Sequence, residues 1–115
     1  MKNPTPQVSF SLFCGANIGT DGRTVSAEDF AGFLRVHVTP RFPGFTVRTA
    51  EGYWQGEPET VREIVLIVDD TERANIQAIA RSYCGRFSQD CVLVTETAVS
   101  VVFETSAQAK PETVR

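Results

Sequence analysis

A carboxylate stands inside a stretch of strand-forming residues, and two aromatic residues precede it at a spacing that a hairpin can close. Glu63 comes directly before the apolar run at 64–68, where strand interiors disfavour carboxylates. Tyr53 and Trp54 lie across the predicted hairpin, and aromatic faces beside a carboxylate suit a cationic ligand. Two interpretations stay open. The Glu63 side chain either points to solvent near the strand end or forms the charged floor of a ligand site.

The patterns of most cofactor-dependent and metal-dependent enzymes are missing from the sequence. His37 is the only histidine, which excludes a zinc site with several histidine ligands within one chain. The sequence has no dinucleotide-binding GxGxxG, no phosphate-binding GxxxxGKS or GxxxxGKT and no GxSxG nucleophile motif. We therefore expect a domain that uses neither a metal nor a cofactor.

The cysteines and the other strand-region carboxylates are expected to have no part in the chemistry. Cys14, Cys84 and Cys91 are an odd number without CxxC spacing, which predicts buried free thiols in a reducing compartment. No histidine lies near Cys84 or Cys91 in the sequence to activate a thiolate. Glu57 and Glu59 flank a proline in a predicted loop, so we expect both side chains to be solvated.

Composition limits the class of protein. A chain of 115 residues, 42% of them hydrophobic, can form one domain with a small core. The 11 basic and 14 acidic residues give a formal charge of −3, which argues against a nucleic-acid partner. No apolar run approaches the roughly 20 residues that a bilayer requires, and the start MKNPTPQ leads into no signal-type segment. We expect a small soluble cytoplasmic protein without membrane or nucleic-acid partners.

Hydrophobic periodicity predicts the order strand, helix, strand, strand, helix, strand. Apolar residues alternate in the strands and recur every three or four positions in the helices. Gly52 is expected to end the second strand, residues 55–59 to form a hairpin loop, and the last strand to bend near 97–98. The predicted strands are residues 8–17, 45–51, 61–68 and 91–104. The first helix is expected to follow a cap at Ser26, and its inner face consists of Phe30, Phe33 and Leu34. The second helix is expected to follow a cap at 69–71, and its inner face consists of Ile76, Ile79, Ala80, Tyr83 and Phe87.

This order is typical of the α+β, ferredoxin-like βαββαβ fold, a four-stranded antiparallel sheet with two helices on one face. The predicted domain spans residues 8–104, between a flexible N-terminus at 1–7 and a disordered C-terminal tail at 105–115. The uncovered face should be apolar, because the third strand is apolar on both sides and the last strand changes the phase of its valines. We therefore predict a homo-oligomer that associates through the open face of the sheet.

One short segment carries a family resemblance. QDCVLV at residues 89–94 resembles the bacteriophage enzymes that degrade S-adenosylmethionine, once called hydrolases and now regarded as S-adenosylmethionine lyases. The resemblance runs back without a gap to Glu63, which falls on a glutamate that the family needs for activity. Further back, Gly52 followed by Tyr53-Trp54 is similar to a family stretch in which a tyrosine follows a glycine.

The resemblance implies a cofactor-free lyase that converts S-adenosylmethionine to methylthioadenosine and homoserine lactone, in a trimer with sites between subunits. On this resemblance we assign roles as hypotheses. Glu63 binds the ammonium group of the substrate, or its positive end generally, and fixes its orientation. Tyr53 donates its hydroxyl to the substrate or to Glu63, and Trp54 packs on the adenine or the sulfonium. For a phage-encoded protein the location is the host cytoplasm. A hydrolase stays open as well, with Glu63 as the base that activates water.

Other interpretations remain beside this one. VTPRFPGFTV at 38–47 and the Trp54 to Glu63 spacing also resemble an uncharacterised family of small bacterial proteins. Gln89 and Asp90 could simply turn the chain after the second helix. Two further classes stay open: a non-catalytic oligomer that senses a nucleotide at its subunit interface, and a structural or inhibitory phage protein whose partner is another protein.

Overall fold

The secondary structure follows the predicted order, with one additional small ribbon. A computed structural model describes residues 5–106 of the chain. Its strands are β1 (Thr5–Gly15), β2 (Asn17–Ile18), β3 (Arg23–Thr24), β4 (Thr46–Trp54), β5 (Glu57–Val68) and β6 (Leu93–Val101), and its helices are α1 (Ala27–Phe33), continued by a π-helical turn (Leu34–Val38), and α2 (Arg73–Phe87), preceded by a 3-10 turn (Asp70–Glu72).

The main sheet has the order β4-β5-β1-β6, and every neighbouring pair of strands is antiparallel. The first strand therefore lies in the middle of the sheet, although its partners β5 and β6 come much later in the chain. With both helices on one face, this is the predicted ferredoxin-like α+β architecture. The strands β2 and β3 form a separate two-stranded ribbon beyond the end of β1. Within residues 5–106, neither helix is long and apolar enough to cross a membrane.

The core lies between the sheet and the helices, where the periodicity places it. Phe10 and Leu12 of β1 and Ile64 of β5 are buried on one sheet face, opposite the apolar sides of the helices. The five residues predicted to form the inner side of α2 are all buried. Ser26 caps α1 as predicted, because its hydroxyl accepts a hydrogen bond from the Asp29 N–H at 3.0 Å. Local sequence pattern therefore positions both layers.

The first strand begins at Thr5, three residues before the predicted start at residue 8. Residues 5–7, predicted to be flexible, form the start of β1, where Thr5 pairs with Val101. Their backbone pairs with β6, so β1 begins three residues earlier than the predicted strand. Residues 1–4 and 107–115, which include most of the predicted C-terminal tail, lie outside the described residues.

The hairpin is tighter than predicted. Gly52 does not end the second strand: it pairs with Glu59, and β4 continues to Trp54. The turn consists of Gln55 and Gly56 alone, whose φ angles are 50° and 82°. Two positive φ angles match the twist of the flanking strands, which is why two residues are enough here.

The last strand crosses residues 97–98 in continuous register with β1, without the predicted bend. Val94 pairs with the buried Leu12 and therefore lies on the face that the helices cover. Val99 pairs with Gln7, an odd number of residues further along, and therefore lies on the open face. Ile67 of β5, half exposed at 50%, points to the same open face. Apolar side chains do reach the face that the helices leave uncovered.

The buried hydroxyl of Tyr83 ties α2 to the end of β1, and its loss should be measurable. It donates a hydrogen bond of 2.6 Å to the Gly15 carbonyl. Tyr83→Phe keeps the ring in the core and removes this bond, so the free energy of unfolding should fall by about 1 kcal/mol. Urea denaturation followed by circular dichroism would measure the change. An unchanged midpoint would show that the bond contributes nothing to stability.

Candidate functional site

A cleft of about 990 Å³ lies at the end of the sheet where β1 finishes and β5 and β6 begin. Phe13 and Val61, both on the open face of the sheet, contribute to its floor. The β4–β5 hairpin, residues 17–23 and the segment 88–91 after α2 form its walls. Elements that are far apart in the chain therefore meet around one concave surface, as ligand sites usually require.

The predicted aromatic pair lines this cleft at the hairpin. Trp54 pairs with Glu57 and stands on the open face, with 47% of its surface exposed. Tyr53 pairs with Pro58 and so projects from the opposite side of the strand, although it also borders the cleft at its rim. The alternation of a strand therefore separates the two aromatic residues. Trp54 is the one that shares a face with Glu63.

Glu63 lies on the open face beside the cleft, and its carboxylate already has partners. The Arg48 guanidinium donates to both oxygens, at 3.2 Å and 3.0 Å, and the Ser11 hydroxyl donates at 2.6 Å. These bonds, from Arg48 first and Ser11 second, hold the pKa of Glu63 below its usual range. Only 14% of the side chain is exposed, so the solvent-pointing interpretation does not describe it.

The structure brings Tyr53 and Trp54 to the cleft and leaves Glu63 adjacent to it. Glu63 is absent from the cleft lining, but its strand neighbour Val61 and its pairing partner Phe13 both line the cleft. The hydroxyl of Tyr53 does not bond to Glu63, because the two side chains belong to opposite faces of the sheet. The three predicted residues thus surround one region without forming a single bonded cluster.

The segment after α2 is anchored to the cleft by Gln89. Its side-chain amide donates to the Asn17 carbonyl at 2.8 Å and to the Phe87 carbonyl at 3.3 Å. Helix α2 ends just before it, at Ser88, which has a left-handed backbone with φ of 52°. Gln89 therefore does more than turn the chain, because it fixes one wall of the cleft against the β2 segment.

The cysteines are only partly as predicted. Cys14 is buried, and burial raises the pKa of its thiol to about 12. Cys84 is half-buried, and burial again raises the pKa of its thiol. Cys91, predicted to be buried, is instead exposed and borders the cleft, because the chain is still turning toward β6 at this position. Raised pKa values keep Cys14 and Cys84 protonated near neutral pH and unsuited to nucleophilic chemistry.

Sequence reasoning missed Glu59. It was predicted to be solvated in a loop, but it belongs to β5, is half-buried and lines the cleft. Its carboxylate accepts a hydrogen bond from the Asn17 N–H at 3.0 Å. Two glycines leave the space that Glu59 needs inside the sheet, because Gly15 and Gly52 lie next to it on the two flanking strands. No sequence pattern reveals that these glycines are neighbours.

Within the part of the chain that the structure describes, no three histidine, cysteine, aspartate or glutamate side chains converge on a point that could hold a metal ion. The carboxylates of Glu57, Glu59 and Asp90 line the cleft, and other carboxylates nearby form ion pairs. Asp21 at the ribbon forms an ion pair with Arg23 at 2.9 Å, and Glu63 is paired with Arg48. Hydrogen bonding and charge, with aromatic surface, are the means of recognition that these residues offer.

This architecture is shared with solved phage enzymes. A phage SAM lyase in complex with S-methyl-5′-thioadenosine aligns over 84% of this chain and 90% of its own, with a TM-score of 0.65 and 19% sequence identity. A phage SAM lyase in its apo state aligns over 91% of this chain and 97% of its own, with a TM-score of 0.60 and 21% identity. At these identities the likeness shows a common fold over nearly the whole domain.

The sequence itself defines the family more narrowly. Residues 9–103 match the family described as "Protein of unknown function (DUF3574)", and the chain belongs to this family. No curated protein matches the chain. The membership agrees with the resemblance to an uncharacterised family, while the fold agrees with the resemblance to the lyases.

Proposed function

We propose that this protein degrades S-adenosyl-L-methionine to 5′-methylthioadenosine and L-homoserine lactone. The observation that carries the proposal is the cleft of about 990 Å³, with Trp54 and carboxylates at its surface, on a fold that phage SAM lyases share. Its volume suits a nucleoside-sized ligand. The resemblance of residues 89–94 adds support, because that segment forms part of the cleft wall.

The proposed reaction needs little from the protein beyond positioning. An oxygen of the substrate's own carboxylate forms a bond to its γ-carbon while the bond from that carbon to sulfur breaks. The electron pair stays on sulfur, so the positively charged sulfonium becomes a neutral thioether, and the carboxylate becomes the lactone ester. No proton moves. Holding the carboxylate against the γ-carbon and excluding water can lower such a barrier by about 7–11 kcal/mol in favourable cases.

The predicted site residues receive distinct roles under this proposal. Trp54 packs its ring on the adenine or the sulfonium, since it stands exposed on the open face. Tyr53 donates its hydroxyl to the substrate at the cleft rim. Glu63, fixed in place by Arg48 and Ser11, contacts the reacting end of the substrate where the floor of the cleft continues along β5. Rigid placement is what a positioning mechanism requires.

The site is proposed to lie between subunits of a homo-oligomer, with a trimer implied by the family resemblance. The open face carries exposed Ile67 and Leu93, which a second copy of the chain would cover. Glu63 lies on that same face. A neighbouring subunit would thus close the cleft over Glu63 and exclude the water that competes with the internal attack.

The proposal is tested by incubating the purified protein with S-adenosylmethionine in water enriched in oxygen-18 and identifying the products by mass spectrometry. We expect methylthioadenosine together with unlabelled homoserine lactone at early times. Homoserine that carries the label in its γ-hydroxyl, formed without a lactone precursor, would instead establish a hydrolase. Substrate that survives unchanged would end the enzyme proposal.

A non-catalytic nucleotide-binding oligomer is the second candidate. The ion pair of Glu63 with Arg48 leaves this carboxylate largely compensated, which counts against Glu63 as the base of a hydrolase and is compatible with binding alone. This candidate predicts saturable binding of S-adenosylmethionine with no product formed. Calorimetry alongside the product assay separates the two candidates.

A further inference from the structure

The side chain of Glu59 lies on the open face of the sheet, where a glycine on the neighbouring strand leaves space for it. A Cβ atom placed on Gly15 would lie 2.7 Å from both carboxylate oxygens of Glu59, so the carboxylate occupies space that any other residue at position 15 would fill. On the other flank, Gly52 leaves room that Val61 occupies in the same manner, at 2.6 Å. The two glycines therefore open a trough across three strands, and the Glu59 side chain lies in it.

The charge of Glu59 is not compensated. Within residues 5–106 the ion pairs join Asp21 to Arg23, Glu63 to Arg48, and Glu96 to Arg73. Arg23 is the arginine that borders the cleft, and it is engaged by Asp21. The partner of Glu59 is a single backbone N–H, that of Asn17, bonded to one oxygen. A carboxylate can accept several hydrogen bonds, so the second oxygen of Glu59 is available to a ligand.

The surroundings of Glu59 in the cleft suit a positive group. Trp54 lies on the same face of the hairpin, and Phe13 contributes to the same floor. Aromatic faces attract cations, and an unpaired, half-buried carboxylate attracts them more strongly. Glu63, by contrast, meets any ligand as one half of an ion pair.

We propose that Glu59 is the residue that binds the cationic group of the ligand, while Glu63 acts on the reacting end. This inference rests on the proposed function, because it names the recognition of a positively charged nucleoside in the same cleft. It assigns different tasks to Glu59 and Glu63, two of the three carboxylates of β5. Glu59 sets affinity for charge, and Glu63 sets turnover.

The test uses ligands that differ in charge. S-adenosylhomocysteine has an ammonium but no sulfonium, methylthioadenosine has neither, and S-adenosylmethionine has both. Glu59→Gln should raise the Kd of S-adenosylhomocysteine or the KM of S-adenosylmethionine at least about tenfold, as expected for a lost charge-assisted hydrogen bond. The Kd of methylthioadenosine, measured by calorimetry, should stay unchanged. An effect on S-adenosylhomocysteine assigns Glu59 to the ammonium, and an effect on S-adenosylmethionine alone assigns it to the sulfonium.

Two further variants make the test specific. Glu51→Gln removes the same charge from the other face of the same hairpin and should leave all three ligands unaffected. Gly15→Ala keeps the charge of Glu59 but pushes its carboxylate aside, so it should weaken the cationic ligands as Glu59→Gln does. Equal weakening of methylthioadenosine, or unchanged binding of every ligand by Glu59→Gln, overturns the assignment of Glu59. If the unaltered protein binds none of the three, the proposed function itself fails.

Discussion

Glu63→Gln should lower kcat for S-adenosylmethionine about 100-fold or more and leave the fold intact. The amide keeps the shape of the side chain but loses the charge that holds Arg48 at two oxygens. Removal of a single preorganised polar group at a reacting centre typically costs factors of this size. The KM should change little, since cation binding is assigned to Glu59. Steady-state kinetics and far-ultraviolet circular dichroism would establish both parts.

The matched control is Glu96→Gln. Glu96 also forms an ion pair with an arginine, Arg73, at 2.6 Å, but it does not line the cleft. Its replacement therefore removes a more exposed ion pair of the same type, which contributes no more than about 1 kcal/mol to stability, and should leave kcat unchanged. Full activity of the Glu63→Gln protein would remove Glu63 from the mechanism. Equal losses in both variants would mean that ion-pair loss in general, and no specific role of Glu63, lowers the rate.

Ile67→Lys should prevent the proposed homo-oligomer from forming and abolish most of the proposed activity. Ile67 is half exposed on the open face and lies on β5 beyond Glu63, away from the cleft. Burying a lysine without a partner in a subunit interface costs about 3 kcal/mol or more, which weakens association more than 100-fold. Activity should fall with it, because the proposed site is completed by a neighbouring subunit. Size-exclusion chromatography with light scattering measures the mass directly.

Val36→Lys is the control for this prediction. Val36 is an apolar residue of similar exposure, 59%, but it lies in the π-helical turn after α1, in the helical layer. Lysine at this position should change neither the mass nor the rate. If the unaltered protein is a monomer at micromolar concentration, association through the open face is wrong. If Ile67→Lys stays oligomeric, the interface lies elsewhere.

The sequence predicted the elements that local pattern can specify. The alternation of Val8, Phe10, Leu12 and Cys14 predicts that they share one face of β1; the last three are buried, and Val8 is half-buried against the same core. The spacing of the apolar residues in α2 works equally well, because residues three or four positions apart lie on the same side of a helix. The cap at Ser26 needs only neighbours along the chain. In each case, the residues that determine the local structure lie within a few positions of one another in the sequence.

Two of the errors, at Gly52 and at Glu59, occurred where glycine was interpreted from local pattern. Gly52 looks like a strand breaker, but the strand needs it because Val61 on the next strand occupies the space of a side chain there. Glu59 was interpreted as a loop residue for a related reason. The turn of the hairpin takes two residues instead of five, which places Glu59 in β5. A glycine that accommodates a neighbouring strand cannot be recognised before that neighbour is known.

The sequence by itself determined the order of strands and helices, the core face of each, and the candidate status of Glu63, Tyr53 and Trp54. Only the tertiary structure decided that Glu59 lines the cleft and that Glu63 beside it is paired with Arg48. The hydrogen bond of Ser11 to Glu63 joins residues 52 positions apart, and that of Asn17 to Glu59 joins residues 42 positions apart. Such contacts depend on the register of whole strands, and a shift of one residue would move each side chain to the other face.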